Sequence, residues 1–380
     1  MINKKRLLGL LREVISIDTQ NPPGNERPLA VFLRDYLKRQ GFRPKILEFY
    51  PRRSNLLFSL KSRHSKKTLV VSPHLDTVPA DSPLWKTNPF KLVLKEGKAF
   101  GRGTTDCKGN LCAGIEALLS LKENYNLRNL DIILCATSDE EAGSHKGLIP
   151  LLENKTIKAD FWMVLDSDAF EVIIAQKGLL HLNIEIKGKP SHASIPHKGR
   201  NAILGACKSI LEVYRHNFSF KRHPLLRPPT VNVGTIKGGV KTNVVAPQCS
   251  FTLDIRYLPG MSERNIIKDI KEILKRTSYR FKVEVIDNQR PIEIKEDNFW
   301  IKVLFQTIKD KRFSLRIRGS EGATVMSILN SFGINSFGFG FGAKNKAHTD
   351  NEFVYINDLY KGAEVLLDYF IYVDKVLDKD

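Results

Sequence analysis

The sequence predicts an α/β protein, a large domain with a mostly parallel central sheet that is interrupted by a smaller inserted α+β domain of ferredoxin-like order. Three observations carry this expectation. In the first half, short continuous apolar runs alternate with segments of helical periodicity, the pattern of strands buried on both faces. Near residue 178 the strand pattern turns to alternation, as in LLHLNIEIKGK (179–189), which suits a sheet with one covered face. After about residue 291 helical patterns return. The larger domain is therefore expected over 1–178 and 291–380, and the inserted one over 179–290.

Residues 3–16 and 26–40 place apolar side chains at helical spacing, the second run stopping at Gly41. TLVVSP (68–73) is a β-branched run ending in a polar turn. GNLCAGIEALLSLKE (109–123) reads as a helix, and LDIILCATS (130–138) and FWMVLD (161–166) as buried strands. In the inserted segment the strand at 179–189 is followed by a helix at 201–215, strands near 230–236 and 248–257, a helix at 263–276 and a strand at 280–286. Helices at 297–309 and 322–330, a short strand in INSFGFG (334–340) and a last helix at 357–373 complete the chain.

With 380 residues, 42% hydrophobic and 27% charged, the chain can bury cores for about two domains, which excludes disorder, collagen and coiled coil as the main architecture. The net charge of +19 raises the question of nucleic acid. Against that partner, the sequence has no helix-turn-helix signal, no finger spacing and no aromatic RNA-binding strand. The excess is concentrated: residues 180–290 hold 20 Lys and Arg against 8 Asp and Glu, a net +12, which leaves +7 for the rest. Arg215, Lys221, Arg222 and Arg227 fall on or near one loop of that segment. A basic binding protein without catalysis is the reading of a different class. Five cysteines without a CxxC pair suit reduced, buried residues of a cytoplasmic protein. The start, MINKKRLLGLLREVISID, is expected to form an amphipathic helix rather than a signal peptide, because Arg12 and Glu13 break its apolar run. No stretch of about 18 uncharged apolar residues occurs, so no membrane span is expected.

Histidines and acidic residues stand where strand patterns end, which is where open α/β sheets keep their sites. SPHLDTVPA (72–80) sets His74 and Asp76 two apart, so that Asp76 can accept the second ring N–H of His74. GRGTTDCKG (101–109) puts Asp106 in a glycine-rich loop opening a helix. TSDEEAGS (137–144) gathers Asp139, Glu140 and Glu141. ADFWMVLDSD (159–168) ends a strand at Asp166, with Asp160 and Asp168 to either side, and KAHTDNEF (346–353) supplies His348. Each piece alone also suits a solvated loop or a helix cap. Together, two histidines and several carboxylates at successive strand ends are the nitrogen and oxygen donors of a dinuclear zinc or cobalt site, with one carboxylate to spare for proton transfer.

These five segments, in this order, resemble the zinc aminoacylase and peptidase family of acetylornithine deacetylase, succinyl-diaminopimelate desuccinylase and carboxypeptidase G, the M20-type metallopeptidases. The resemblance runs from IDTQNPPGNE (17–26) to the final helix. It implies two divalent ions, zinc first and cobalt as the alternative, in the larger domain. His74 and Asp166 would bind one, with Asp168 the rival of Asp166; Glu141 and His348 would bind the other, and Asp106 would bridge both. Asp76 would support His74, Glu140 would be the general base of amide hydrolysis, and the Asp106–Cys107 peptide would be cis. In the inserted segment, taken as a lid, KPSHASIPHKGRNAI (189–203) implies that His192 stabilises the oxyanion, while His197 has no counterpart. Asn243 and Arg256 are implied to bind the substrate's carboxylate, the alternative for Arg256 being an ion pair within the sheet. Gly322 and Thr324 are implied to lie in a substrate loop.

One departure narrows the substrate. Where related loops carry an acidic residue and an arginine, this chain has Val325 and Ser327, which counts against a succinylated substrate; Arg316 or Arg318 would have to compensate. An N-acyl amino acid is the expected substrate, a dipeptide or peptide C-terminus the alternative. A homodimer through the lid is the expected assembly.

Overall fold

The structure, a computed structural model, describes residues 1–309 and 314–378. It divides into two compact units. The larger comprises Met1–Ile174, Ile294–Arg318 and Ile328–Asp380; the smaller comprises Ala175–Glu293 and Gly319–Ser327. The inserted segment thus runs Ala175–Glu293 against the expected 179–290, and Gly319–Ser327 joins it although the sequence left that stretch with the larger domain. With it go Gly322 and Thr324.

A mixed sheet, in the larger unit up to Ile174, runs in the order Lys45–Tyr50, Arg53–Leu60, Leu130–Ala136, Lys67–Ser72, Phe161–Val164, Ser336–Phe339, Glu171–Gln176, with Ile292–Glu293 paired to the end of the last strand. The expected mostly parallel sheet is parallel across its central four strands and antiparallel towards both edges. The antiparallel side begins with a hairpin, whose tight Pro51–Arg52 connection cannot make a parallel crossover. The central strands are apolar throughout because both faces are covered; all residues of Phe161–Val164 and Ser336–Phe339 are buried. Helix Lys108–Asn124 is buried without interruption from Lys108 to Leu121, so it lacks the polar face of a surface helix.

The smaller unit has the strand order Thr230–Gly238, Gln248–Tyr257, Gly178–Lys187, Arg280–Gln289, all antiparallel. With helices Ala202–Arg215 and Glu263–Arg276 it follows the strand–helix–strand–strand–helix–strand order read from the sequence. Alternation explains its main core: Leu180, Leu182, Ile184 and Ile186 face the same side as Phe251, Leu253 and Ile255, beneath Ala206, Ile266 and Ile270. Four cysteines are buried and free as expected; Cys207 differs, being exposed on a helix. No helix among the described residues is long and apolar enough to cross a membrane.

Candidate metal centre

His74, Asp106, Glu141, Asp166 and His348 meet in the larger unit from five separate loops. Past Lys67–Ser72 the chain keeps step with the neighbouring strand: Leu75 N–H donates to Thr137 O at 2.8 Å, and Thr137 N–H to Pro73 O at 3.0 Å. This laces the loop of His74 to that of Glu140 and Glu141. The loop before Asp106 folds tightly over the start of helix Lys108–Asn124, where a Cβ on Gly109 would stand 2.0 Å from Thr104 O. The Asp106–Cys107 peptide is cis, the expected isomer.

Asp106 lies at the centre. Its Oδ1 is 2.8 Å from His74 Nε2 and its Oδ2 3.0 Å from His348 Nε2. His348 Nε2 is also 3.0 Å from Glu141 Oε2, and His74 Nε2 is 3.9 Å from Asp166 Oδ2. The donors therefore divide into two sets, His74 with Asp166 and His348 with Glu141, which share Asp106.

The electrostatics call for cations. Burial, reinforced by the Asp106 charge, pushes the Asp166 carboxyl up to about 7. Burial likewise holds Glu140 well above the usual carboxylate range, with Asp166, Glu141 and Asp106 adding to the effect against His74. Asp106 goes the other way: burial alone would raise it, but hydrogen bonds from His348 and His74 hold it below its ordinary value. Hydrogen bonds to Asp106 and Glu141 push the His348 imidazole up to about 10. Glu141 Oε1 is buried without a hydrogen-bond partner among the described residues. A cluster of carboxylates with an orphaned oxygen and two converging imidazole nitrogens fits divalent ions that take nitrogen and oxygen donors. Cys107 also approaches His74 and Asp166. Its Sγ accepts from the His74 backbone N–H at 3.0 Å and burial pushes the thiol up to about 12, so it supports His74 as a neutral thiol.

The expected bond between His74 and the Asp76 carboxylate is corrected by the geometry. His74 Nδ1 faces the backbone carbonyl of Asp76 at 2.9 Å, and the carboxylate stands off at 3.7 Å. That carboxylate is occupied elsewhere, accepting from Asn21 Nδ2 at 2.9 Å and from the backbone N–H groups of Glu140 and Glu141, both at 3.1 Å. Asp76 thus fixes the turn that presents the two glutamates. Asp139 holds the same turn from behind, in a left-handed conformation with φ 66°. Its carboxylate lies 2.8 Å from Arg53 Nη2, which also lies 2.6 Å from Glu26 Oε1.

Asp160 stands outside the cluster, accepting from Lys67 Nζ and Thr68 N–H at the far end of the strand Phe161–Val164. Asp168 is pushed up to about 6 by burial and the Asp106 charge, but it belongs to neither set of converging donors.

The other five candidates lie in the smaller unit. His192 pairs with Val244, and Ala193 N–H donates to Asn243 O at 3.0 Å, so His192 and Asn243 share one exposed corner. Arg256 makes the alternative contact, an ion pair within the sheet: Nε and Nη2 donate to the Asp254 carboxylate at 2.8 and 3.0 Å. Thr324 donates to Gln176 Oε1 at 2.7 Å, and Ser327 Oγ accepts from Gln176 Nε2 at 2.9 Å. Gly322 O accepts from Ser320 Oγ. His197 is exposed in a short turn. Arg318 is engaged by Glu171.

The sequence reading missed Asn21, Glu26, Arg53, Cys107 and Glu352 as supports. All but Arg53 lie inside the quoted segments, but an isolated loop residue shows no partner until the chain is folded.

A family model described as Peptidase family M20/M25/M40 matches residues 70–371. An acetylornithine deacetylase of Proteus mirabilis is 29% identical over 357 residues, 90% of this chain and 88% of its own. A metallohydrolase of Methanocaldococcus jannaschii is 30% identical over 349 residues, 82% of each chain. Among solved structures, aminopeptidase PepT from Bacillus cereus matches with a TM-score of 0.81 at 24% identity, over 98% of this chain and 99% of that one, and shares the fold.

Proposed function

The chain belongs to peptidase family M20/M25/M40 and is a metallohydrolase of amide or peptide bonds, and from that premise we propose that it removes the acyl group from an N-acyl amino acid. The observation that carries the chemistry is the convergence of His74, Asp106, Glu141, Asp166 and His348, with Glu140 beside them. These five residues would hold two divalent ions, zinc or cobalt, which supply an activated water and polarise the amide carbonyl. Glu140 is the general base. Its backbone N–H is pinned by Asp76 while its carboxylate takes no hydrogen bond from any described residue, and its raised pKa suits a group that must hold a proton. Glu140 accepts the proton of the water and then delivers it to the departing amine. Asp106 keeps both imidazoles aligned, and Cys107 and the Asp76 carbonyl keep His74 in place.

In the smaller unit we assign oxyanion stabilisation to His192 and recognition of the substrate carboxylate to Asn243 and Arg256, with Gly322 and Thr324 in a substrate loop. Asp254 would hold the Arg256 guanidinium at a fixed angle for a second carboxylate. A homodimer through this unit and a reducing, cytoplasmic setting complete the proposal; the five unpaired cysteines support the latter. Acylated rather than peptide substrates are favoured by the acetylornithine deacetylase relative. Ser327, bonded to Gln176, offers no guanidinium to a succinyl group.

Purified protein loaded with zinc or cobalt, assayed on acetylornithine, succinyl-diaminopimelate and a dipeptide panel, tests the reading. Turnover of acetylornithine or another N-acetyl amino acid is expected. Hydrolysis of dipeptides alone would replace deacylation by peptidase activity, and turnover of none would remove both.

A further inference from the structure

Glu352 is fully buried four residues after His348, and its carboxylate is bonded into the loop that carries Asp106. Oε1 accepts from the backbone N–H groups of Thr105 at 2.8 Å and Asp106 at 3.0 Å. Oε2 accepts from Gly103 N–H at 3.1 Å and from Arg102 Nη1 at 2.8 Å. Four donors therefore meet one carboxylate. An amide of the same shape has a single acceptor oxygen and could satisfy only one side of this arrangement.

The contacts reach three of the five loops, those of His74, Asp106 and His348. Gly101 N–H donates to Glu352 O at 3.0 Å, so the two segments are joined through backbone as well as side chain. Arg102, held by Glu352, also donates to Thr349 O at 3.2 Å and Pro79 O at 3.0 Å. The segments after His74, before Asp106 and after His348 are thereby tied at one buried ion pair. The backbone N–H of Asp106 is among the bonded groups, and the two oxygens of that residue face the two histidines separately. Any rotation of its backbone shifts both contacts together.

We infer that Glu352 is a positioning residue: by fixing the Asp106 loop against the His348 loop, it sets the bridging carboxylate and so the affinity for the pair of metal ions. The inference rests on the two-metal reading above. The rival account is that Glu352 only stabilises the loop, as Thr105 does through Oγ1, which donates to Phe353 O at 2.7 Å and accepts from Ala343 N–H at 3.0 Å.

The test is cobalt titration of metal-free protein by calorimetry and visible absorption, on the wild type, Glu352→Gln, Glu352→Asp and Thr105→Val, with thermal unfolding of each. Glu352→Gln is expected to weaken cobalt binding by about 10- to 100-fold and to change the cobalt spectrum. Glu352→Asp should recover part of the affinity by keeping the carboxylate. Thr105→Val should lower the melting temperature while keeping wild-type affinity and spectrum. Unchanged affinity in folded Glu352→Gln overturns the inference, as does a loss in Thr105→Val equal to that in the glutamate variants. If Glu352→Gln fails to fold, Glu352→Asp against Thr105→Val decides by the same criterion. A wild type that binds no cobalt would remove the metal reading itself, whereas two ions bound alike by wild type and Glu352→Gln would remove only the role of Glu352.

Discussion

Asp106 is where the charges of the centre are balanced. It accepts from both His74 and His348, and without a metal these two imidazoles act as its cations. A metal ion must displace the Nε2 proton of each imidazole that binds it. His348, pushed up to about 10, is protonated at neutral pH in the metal-free protein, and only its neutral form has a lone pair for a metal. Metal affinity should therefore rise with pH between 6 and 8, by about tenfold per pH unit for each proton released. Calorimetric titration at several pH values, in buffers of different ionisation enthalpy, checks both slope and proton count; a flat profile would contradict the arrangement. Asp76 offers a second test. Because its carboxylate holds the backbone of Glu140 and Glu141 rather than the His74 ring, Asp76→Asn should turn an amide N–H₂ towards those donors. Steady-state kinetics should show kcat lower by about 10- to 100-fold.

The loops that carry these residues are fastened by buried ion pairs and ladder extensions. Arg53 joins Glu26, beside the first loop, to Asp139, which anchors the glutamate turn, and all three side chains are buried. Arg53→Met leaves two carboxylates without their cation, so urea unfolding of the metal-free protein should show a loss of about 3–5 kcal/mol. A change under 1 kcal/mol would mean that the cluster is not a structural tie. Much of this framework was legible in the sequence, because burial on two faces writes continuous apolar runs and burial on one face writes alternation. The order of elements in the inserted segment followed from those patterns, as did the strand ends at which the five segments with converging histidines and carboxylates stand. The hairpin Lys45–Tyr50 and Arg53–Leu60 did not, since its first strand is half exposed and interrupts its apolar residues with charge. Nor did the attachment of Gly319–Ser327 to the smaller unit, which depends on contacts such as Lys177 with Glu321, at 2.6 Å, between distant parts of the chain. The error about Asp76 has the same origin. Spacing shows which acceptors stand near His74, but only the folded chain shows which other donors have taken them.

The uneven charge of the chain belongs to its inserted part, where the net +12 lies, while the carboxylate cluster is in the larger unit. A substrate bearing carboxylates is attracted to such a basic surface, and salt weakens that attraction. The value of kcat/KM should fall severalfold as the Debye length shrinks from about 30 Å at 0.01 M salt to about 10 Å at 0.1 M. Charge reversal at exposed Lys221 and Arg222 should flatten the dependence, and a flat profile in the wild type would remove steering by this segment. The central claim is that five residues hold two ions while Glu140, bound to neither, moves the proton. Metal content and turnover of the wild type and Glu140→Ala, measured on the same preparations, test it most directly. Two ions per chain in both proteins, with hydrolysis reduced by about 10²- to 10⁴-fold in the variant, is the predicted result; loss of an ion from the variant, or turnover preserved without Glu140, would contradict it.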